Sequence, residues 1–298
     1  MTAPRQVLKG ASYLLTRRCS QRQFLLKPSP VVNAVFGYVL AVAARRYGIL
    51  LHAFCVLSNH FHIVLTDPRG QLPIFEQFLN SLVARALNAW YGRWENLWAP
   101  GSFSAVALAS PEDILDKAAY TLANPAAAGL VERGCDWQGL WSAPEWIGGE
   151  PDVVARPDHF FSADGQMPKT ERLELVVPEG FPSVEAFRAA LMGRIAERER
   201  AAAHELREQG RRFRGVRRVN AQRHTDSPST VEPRRRLDPR VASHDKWKRI
   251  EALARLKTFL VEYREAFLKF RTGLRDAVFP EGTYLLRVSF GVACAGSG

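Results

Sequence analysis

Cysteine is scarce in this sequence, and its four copies, Cys19, Cys55, Cys135 and Cys294, stand far apart with no short metal-binding spacing between any two. That pattern excludes a disulfide scaffold and a structural zinc site, and fits a reduced, cytoplasmic setting. Long apolar runs are also missing: no stretch reaches the roughly 18 residues a membrane helix needs, and no apolar signal region follows Met1, so neither spanning nor secretion is expected. No internal repeat is evident. Acidic residues are outnumbered, 30 against 41 lysines and arginines, for a formal charge of +11. A partner that is itself a polyanion is the natural reading of that imbalance.

What is present is an ordinary globular composition, 47% hydrophobic and 24% charged over 298 residues, which is enough chain for a core and an appendage. The charge is uneven, since residues 191–250 alone carry 17 basic and 8 acidic side chains. Three regions are expected: a domain over 1–145, a linker or irregular connection rich in Gly, Pro and Asp over 146–185, and a basic, mostly helical extension over 186–298.

Within the first region the pattern alternates. Strands are expected at 12–18, 49–57, 60–66 and 103–109, with Ser58 and Asn59 forming a tight turn between the middle pair. A helix over 33–47 stops at Gly48, and a second over 72–91 repeats apolar residues at helical spacing and stops at Gly92. A third begins with Ser110 as N-cap and Pro111 in the first turn, and should end near Asn124, because proline disfavours the helical conformation of the residue before it. This order suits an α+β fold: a ferredoxin-like antiparallel sheet with helices on one face, plus the basic extension. In the extension, helices are expected over 186–209 and 246–274, a basic loop over 211–240, and strand-like alternation over 282–294.

The sharpest chemical signal is His60-Phe61-His62. On a strand, residues two apart share a face, so both imidazoles project together while Phe61 and Ile63 turn to the core, giving either a chelating pair or two solvated histidines. Val64 excludes a third alternate histidine. A second signal is Tyr120 with Asn124 four residues on, one helical turn away, which places a phenol and an amide on one helix face. Packing alone would also explain such a tyrosine. The third is the run Arg211, Arg212, Arg214, Arg217 and Arg218 around Phe213, with Arg234 to Arg236 beyond, a composition suited to phosphate contacts and base stacking.

The segment Cys55 to Leu65, followed by Ala119-Tyr-Thr-Leu-Ala-Asn-Pro-Ala-Ala-Ala-Gly-Leu-Val131, resembles the single-tyrosine HUH transposases of insertion sequences, and most of all the REP-associated tyrosine transposases. The resemblance spans residues 5 to 145. Tyr13 to Arg22 is similar to the family's first strand and arginine-bearing loop, which adds Arg17, Arg18 and Arg22 as DNA-binding candidates; Leu97-Trp98 to Phe103 is similar to its tryptophan segment. The sequence departs at Ser58, where proline is usual, and at Ala126 and Ala127, where Val-Arg is usual. The resemblance implies His60, His62 and Asn124 as ligands of a divalent metal, Mg2+ or Mn2+, and Tyr120 as nucleophile. The activity implied is cleavage and rejoining of single-stranded, hairpin-containing DNA through a 5′-phosphotyrosine link, with a homodimer as one candidate assembly. Two other readings stay open: a non-cleaving DNA-binding protein of the same descent, and a metal-dependent phosphoesterase without a covalent intermediate.

Overall fold

A computed structural model describes residues 4–162, 164–230 and 239–296. Its centre is a sheet in the order β2-β3-β1-β4-β7, formed by β1 (Ala11–Arg18), β2 (Leu50–Val56), β3 (His60–Asp67), β4 (Ser104–Leu108) and the two-residue β7 (Val241–Ala242). The first four strands pair antiparallel, whereas β7 joins β4 in parallel, so the extension supplies one edge of this sheet. The fold class is α+β.

Helix α1 (Pro30–Tyr47) starts where Ser29 accepts from the Val32 amide and stops at Gly48, whose φ of 67° glycine adopts without strain. Helix α2 (Leu72–Tyr91) begins where the buried Asp67 carboxylate accepts from the amides of Arg69, Gln71 and Leu72. Both helices face Phe54, Phe61, Ile63 and Leu15 in the main core, with Phe36 of α1 edge-on to Phe61 at 5.1 Å between ring centroids. Helix α3 (Pro111–Ala127) lies across the other sheet face, the one that carries His62. Ser110 caps it through the Asp113 amide, as its sequence indicates.

The third helix runs three residues past its expected end. Pro125 sits inside its last turn, where the ring removes the donor that the Thr121 carbonyl would use, and the neighbouring Leu122 carbonyl accepts from the Trp141 indole at 2.9 Å. The expected connection over 146–185 likewise holds more order than its composition suggests. Strands β5 (Asp152–Ala155) and β6 (Thr170–Leu173) form a hairpin against α1, where Tyr38 donates to the Pro168 carbonyl and meets Phe161 edge-on.

Helix α4 (Val184–Glu208) packs along α3, tied by Arg194 to Glu112 and Arg198 to Asp116. The basic stretch that follows contains a short helix α5 (Val216–Asn220), and Arg234 to Arg236 lie outside the described residues. Helix α6 (Lys246–Arg271) is long and mostly exposed. The alternation over 282–294 folds as helix α7 (Leu285–Phe290) with one parallel bridge, Phe279 to Cys294, instead of a strand pair; Leu286 faces inward while Leu285, Val288 and Phe290 remain exposed, a spacing too short to separate helix from strand. Among the described residues no helix is long and apolar enough to cross a membrane.

Candidate nuclease centre and basic groove

The register of β3 fixes the centre. His62 pairs with Thr16 and His60 with Arg18, so strand alternation puts both imidazoles on the α3 side and Phe61 on the opposite one, against Phe36 and Trp98. The two imidazole rings lie 4.9 Å apart. Across from them, Tyr120 of α3 meets the His62 ring edge-on at 5.2 Å, and Asn124, one turn later, places its side-chain nitrogen 3.3 Å from His62 Nε2. His60, His62, Tyr120 and Asn124, drawn from a strand and a helix some sixty residues apart in the sequence, are thus mutual neighbours.

Hydrogen bonds set which ring nitrogens are available. Asn59 donates from its amide nitrogen to the Arg22 carbonyl, which turns its oxygen toward His60 Nδ1 at 2.7 Å. A carbonyl oxygen only accepts, so Nδ1 carries a proton, and in the neutral ring the lone pair is then on Nε2. At His62, the Asn124 amide donates to Nε2, so Nδ1–H donates to Thr16 Oγ1 at 2.8 Å. Both histidines therefore present an Nε2 lone pair with the second nitrogen anchored, the arrangement metal-binding histidines use. Burial, followed by the neighbouring His60 and Arg18, holds His62 well below the ordinary histidine value, which keeps it neutral.

Among the described residues no group of three or more His, Cys, Asp or Glu is placed to hold a metal. Two imidazoles and an amide nevertheless fit a divalent ion, provided the Asn124 amide turns to offer oxygen in place of nitrogen. Lys117, one turn before Tyr120, lies 5.9 Å from the centre of its ring and is paired with the buried Asp116, which also receives Arg198 and His244. These contacts, led by the hydrogen bonds from His244 and Lys117, outweigh burial and bring the Asp116 carboxyl down to about 2.

A groove of about 550 Å³ opens beside this centre, and of the four central residues only His60 reaches its lining. Arg18 and Arg22 line it from the sheet side, and Arg211, Arg212, Arg214 and Arg218 from the extension. The extension is laid there by main-chain bonds from Arg214 and Gly215 to the carbonyls of Gly129 and Leu130, just past the end of α3, while Lys27 holds the carbonyls of Asn220 and Gln222. Arg22 reaches across to the Thr230 carbonyl and hydroxyl. Gln21 and Arg22 adopt left-handed φ values of 52° and 58°, which cost of order 1 kcal/mol each in non-glycine residues. That turn directs Arg22 toward the extension.

Two of the arginines singled out in the sequence do not join the groove. Arg17 points to the opposite sheet face, half-buried beside Trp98 and near Glu76, and Arg217 is exposed outside the lining. Thr16 and Asn59, which orient the two histidines, lie outside the motifs that carry the chemistry. Asn59 adjoins His60 and was open to notice; Thr16 is linked to His62 only through the strand register.

No protein-family model matches the sequence, and no curated protein is matched. Among solved structures, the fold is similar to a REP-associated tyrosine transposase bound to a REP hairpin, at 19% identity and a TM-score of 0.41, over 58% of this chain and 98% of that one. It is also similar to a Deinococcus radiodurans R1 protein provisionally described as a transposase, at 23% identity and a TM-score of 0.28, over 36% of this chain and 85% of that one. Both TM-scores are low, so the functional reading rests on the site's own side chains.

Proposed function

We propose that the chain is a metal-dependent tyrosine transposase that nicks and rejoins single-stranded, hairpin-bearing DNA. The observation that carries this reading is the meeting of Tyr120 and Asn124 with two histidines whose Nε2 lone pairs are both presented by fixed neighbours. A solvated histidine pair has no need of such anchoring, and a merely packed tyrosine has no need of a chelating pair beside it. In this reading His60, His62 and Asn124 hold a divalent ion, Mg2+ or Mn2+, which when bound supplies Lewis-acid polarisation of a phosphate oxygen.

The chain's own groups do the rest. The arginines of the groove hold the strand by its phosphates, and their position brings it past His60. The Tyr120 oxygen attacks phosphorus and gives up its proton to water, while the bond from phosphorus to the 3′ oxygen breaks and that oxygen takes up a proton. The products are a 5′-phosphotyrosine and a free 3′ hydroxyl. Lys117 lies beside the Tyr120 ring and sets a cation near the attacking group. The covalent bond retains the energy of the one broken, so a 3′ hydroxyl can reverse the step without ATP.

Incubation with end-labelled single-stranded hairpin DNA and Mn2+ tests this directly. The parent should yield a labelled protein band on a denaturing gel, and Tyr120→Phe should yield none while still shifting the same DNA on a native gel. Binding with no covalent band from the parent would mark instead a DNA-binding protein that does not cut; cutting that leaves no band would mark a phosphoesterase.

A further inference from the structure

A second, larger groove lies away from the nuclease centre. About 1280 Å³ in volume, it runs between α6 and α7 and is floored by the start of α2. Its walls are apolar and open to water: Val261 and Leu268 of α6 are 50% and 53% exposed, Leu285 and Val288 of α7 are 70% and 61%. Such a contiguous apolar surface is costly to leave bare and marks an interaction site.

One rim is cationic. Lys257, Arg264 and Arg271 recur every seventh residue, two helical turns, and so form a line along α6 with successive charges about 10 Å apart. None of the three has an ion-pair or hydrogen-bond partner among the described residues, and no acidic residue lines the groove. We propose that this groove docks an acidic amphipathic helix of a partner protein, its apolar face against Leu268 and Leu285 and its carboxylates along the lysine–arginine line.

Charge decides between occupants. The chain's own residues 231–238 carry three arginines against Glu232 and Asp238, so their net charge has the same sign as the rim, and a second copy of the groove would bring its own cations to the same line. A nucleic acid strand would satisfy the cations but would leave the leucine and valine walls without a matching surface. A helix laid in a groove uses both features: burial of apolar side chains supplies affinity, and the charge line supplies orientation and speed of encounter.

The test uses the full-length protein and a fluorescein-labelled synthetic amphipathic helix with leucines at helical spacing and glutamates elsewhere, beside a counterpart with lysines for the glutamates. Anisotropy should show binding of the acidic helix alone, weakening as salt rises. Leu268→Asp and Leu285→Asp should each weaken it by at least about tenfold, and Lys257→Glu with Arg264→Glu should shift preference to the lysine peptide. All four side chains are exposed or form the rim, so thermal midpoints should stay at the parent value. Equal binding of both peptides, binding of neither, or indifference to the substitutions overturns the proposal. Displacement of the helix by single-stranded DNA, with only the charge changes mattering, overturns it in favour of nucleic acid. DNA nicking is assayed on the same variants and should be unchanged, so this proposal and the nuclease reading fail separately.

Discussion

His52 and His62 share one side of the sheet and almost the same burial, 1% and 4% exposed, yet the structure uses them in opposite ways. His52 sits at the bulge of β2, donates from Nδ1 to the Val176 carbonyl and accepts at Nε2 from Thr66, whose hydroxyl also meets Ser12. Both ring nitrogens end on fixed groups inside the fold. His62 is anchored at Nδ1 alike, by Thr16, but its Nε2 faces an amide that can turn, with His60 and an open groove beyond. A buried histidine is thus a poor sign of function by itself. What its second nitrogen faces distinguishes a structural ring from one that could serve as a ligand.

Substitutions can break that comparison. The largest difference should come from His62→Ala, which removes a proposed ligand and should slow nicking at least about a hundredfold. His52→Ala should leave nicking by folded protein unchanged; it strands the Thr66 hydroxyl and the Val176 carbonyl and should cost about 2 kcal/mol in urea unfolding. Equal loss of nicking in the two variants would erase that distinction.

Thr16→Val should come next. Nearly isosteric, it keeps the strand but releases His62 Nδ1, and should weaken Mn2+ affinity by about 10- to 100-fold, read as the metal concentration needed for half-maximal nicking. An unchanged requirement would mean that Thr16 only packs.

Acid gives a third comparison. Burial, partly opposed by the bond to Val176, brings His52 down from the usual histidine value to about 4. Because the folded state resists protonation, the unfolded chain takes up the proton first. Stability from the neutral ring is therefore full above about pH 6.5 and is lost as pH falls toward 4, by up to roughly 3 kcal/mol. Urea midpoints of the parent and His52→Gln at pH 7 and pH 4.5 should converge as the pH falls. A gap that stays constant would show that His52 does not titrate in this range.

The smallest effect belongs to single arginines. Neutralising Arg211, Arg212, Arg214 or Arg218 should each lower the slope of log affinity for single-stranded DNA against log salt by about 0.7, with nicking at saturating DNA preserved. Arg217, outside the groove lining, should lower it less.

Much of this was legible in the sequence for local reasons. Ser110 and Pro111, Gly48 and Gly92 punctuate helices through their own backbone chemistry, and the helix over 72–91 has the bounds its periodicity indicates. The pairing of His60 with His62 and of Tyr120 with Asn124 follows from the two- and four-residue periods of strand and helix. The hairpin of β5 and β6 was hidden because its order comes from docking on α1, and α3 continues through Pro125 where the Trp141 indole also ties the Leu122 carbonyl, a contact no local pattern announces.

By itself the sequence determined which residues share a face, since that depends on local geometry and side-chain chemistry alone. Only the tertiary structure decided which faces meet: that Thr16 orients His62, that Arg17 turns away from the groove, and that arginines some 150 residues beyond His60 line the groove it borders. Those choices depend on strand register and on the burial of surfaces far apart in the chain, to which no local period corresponds.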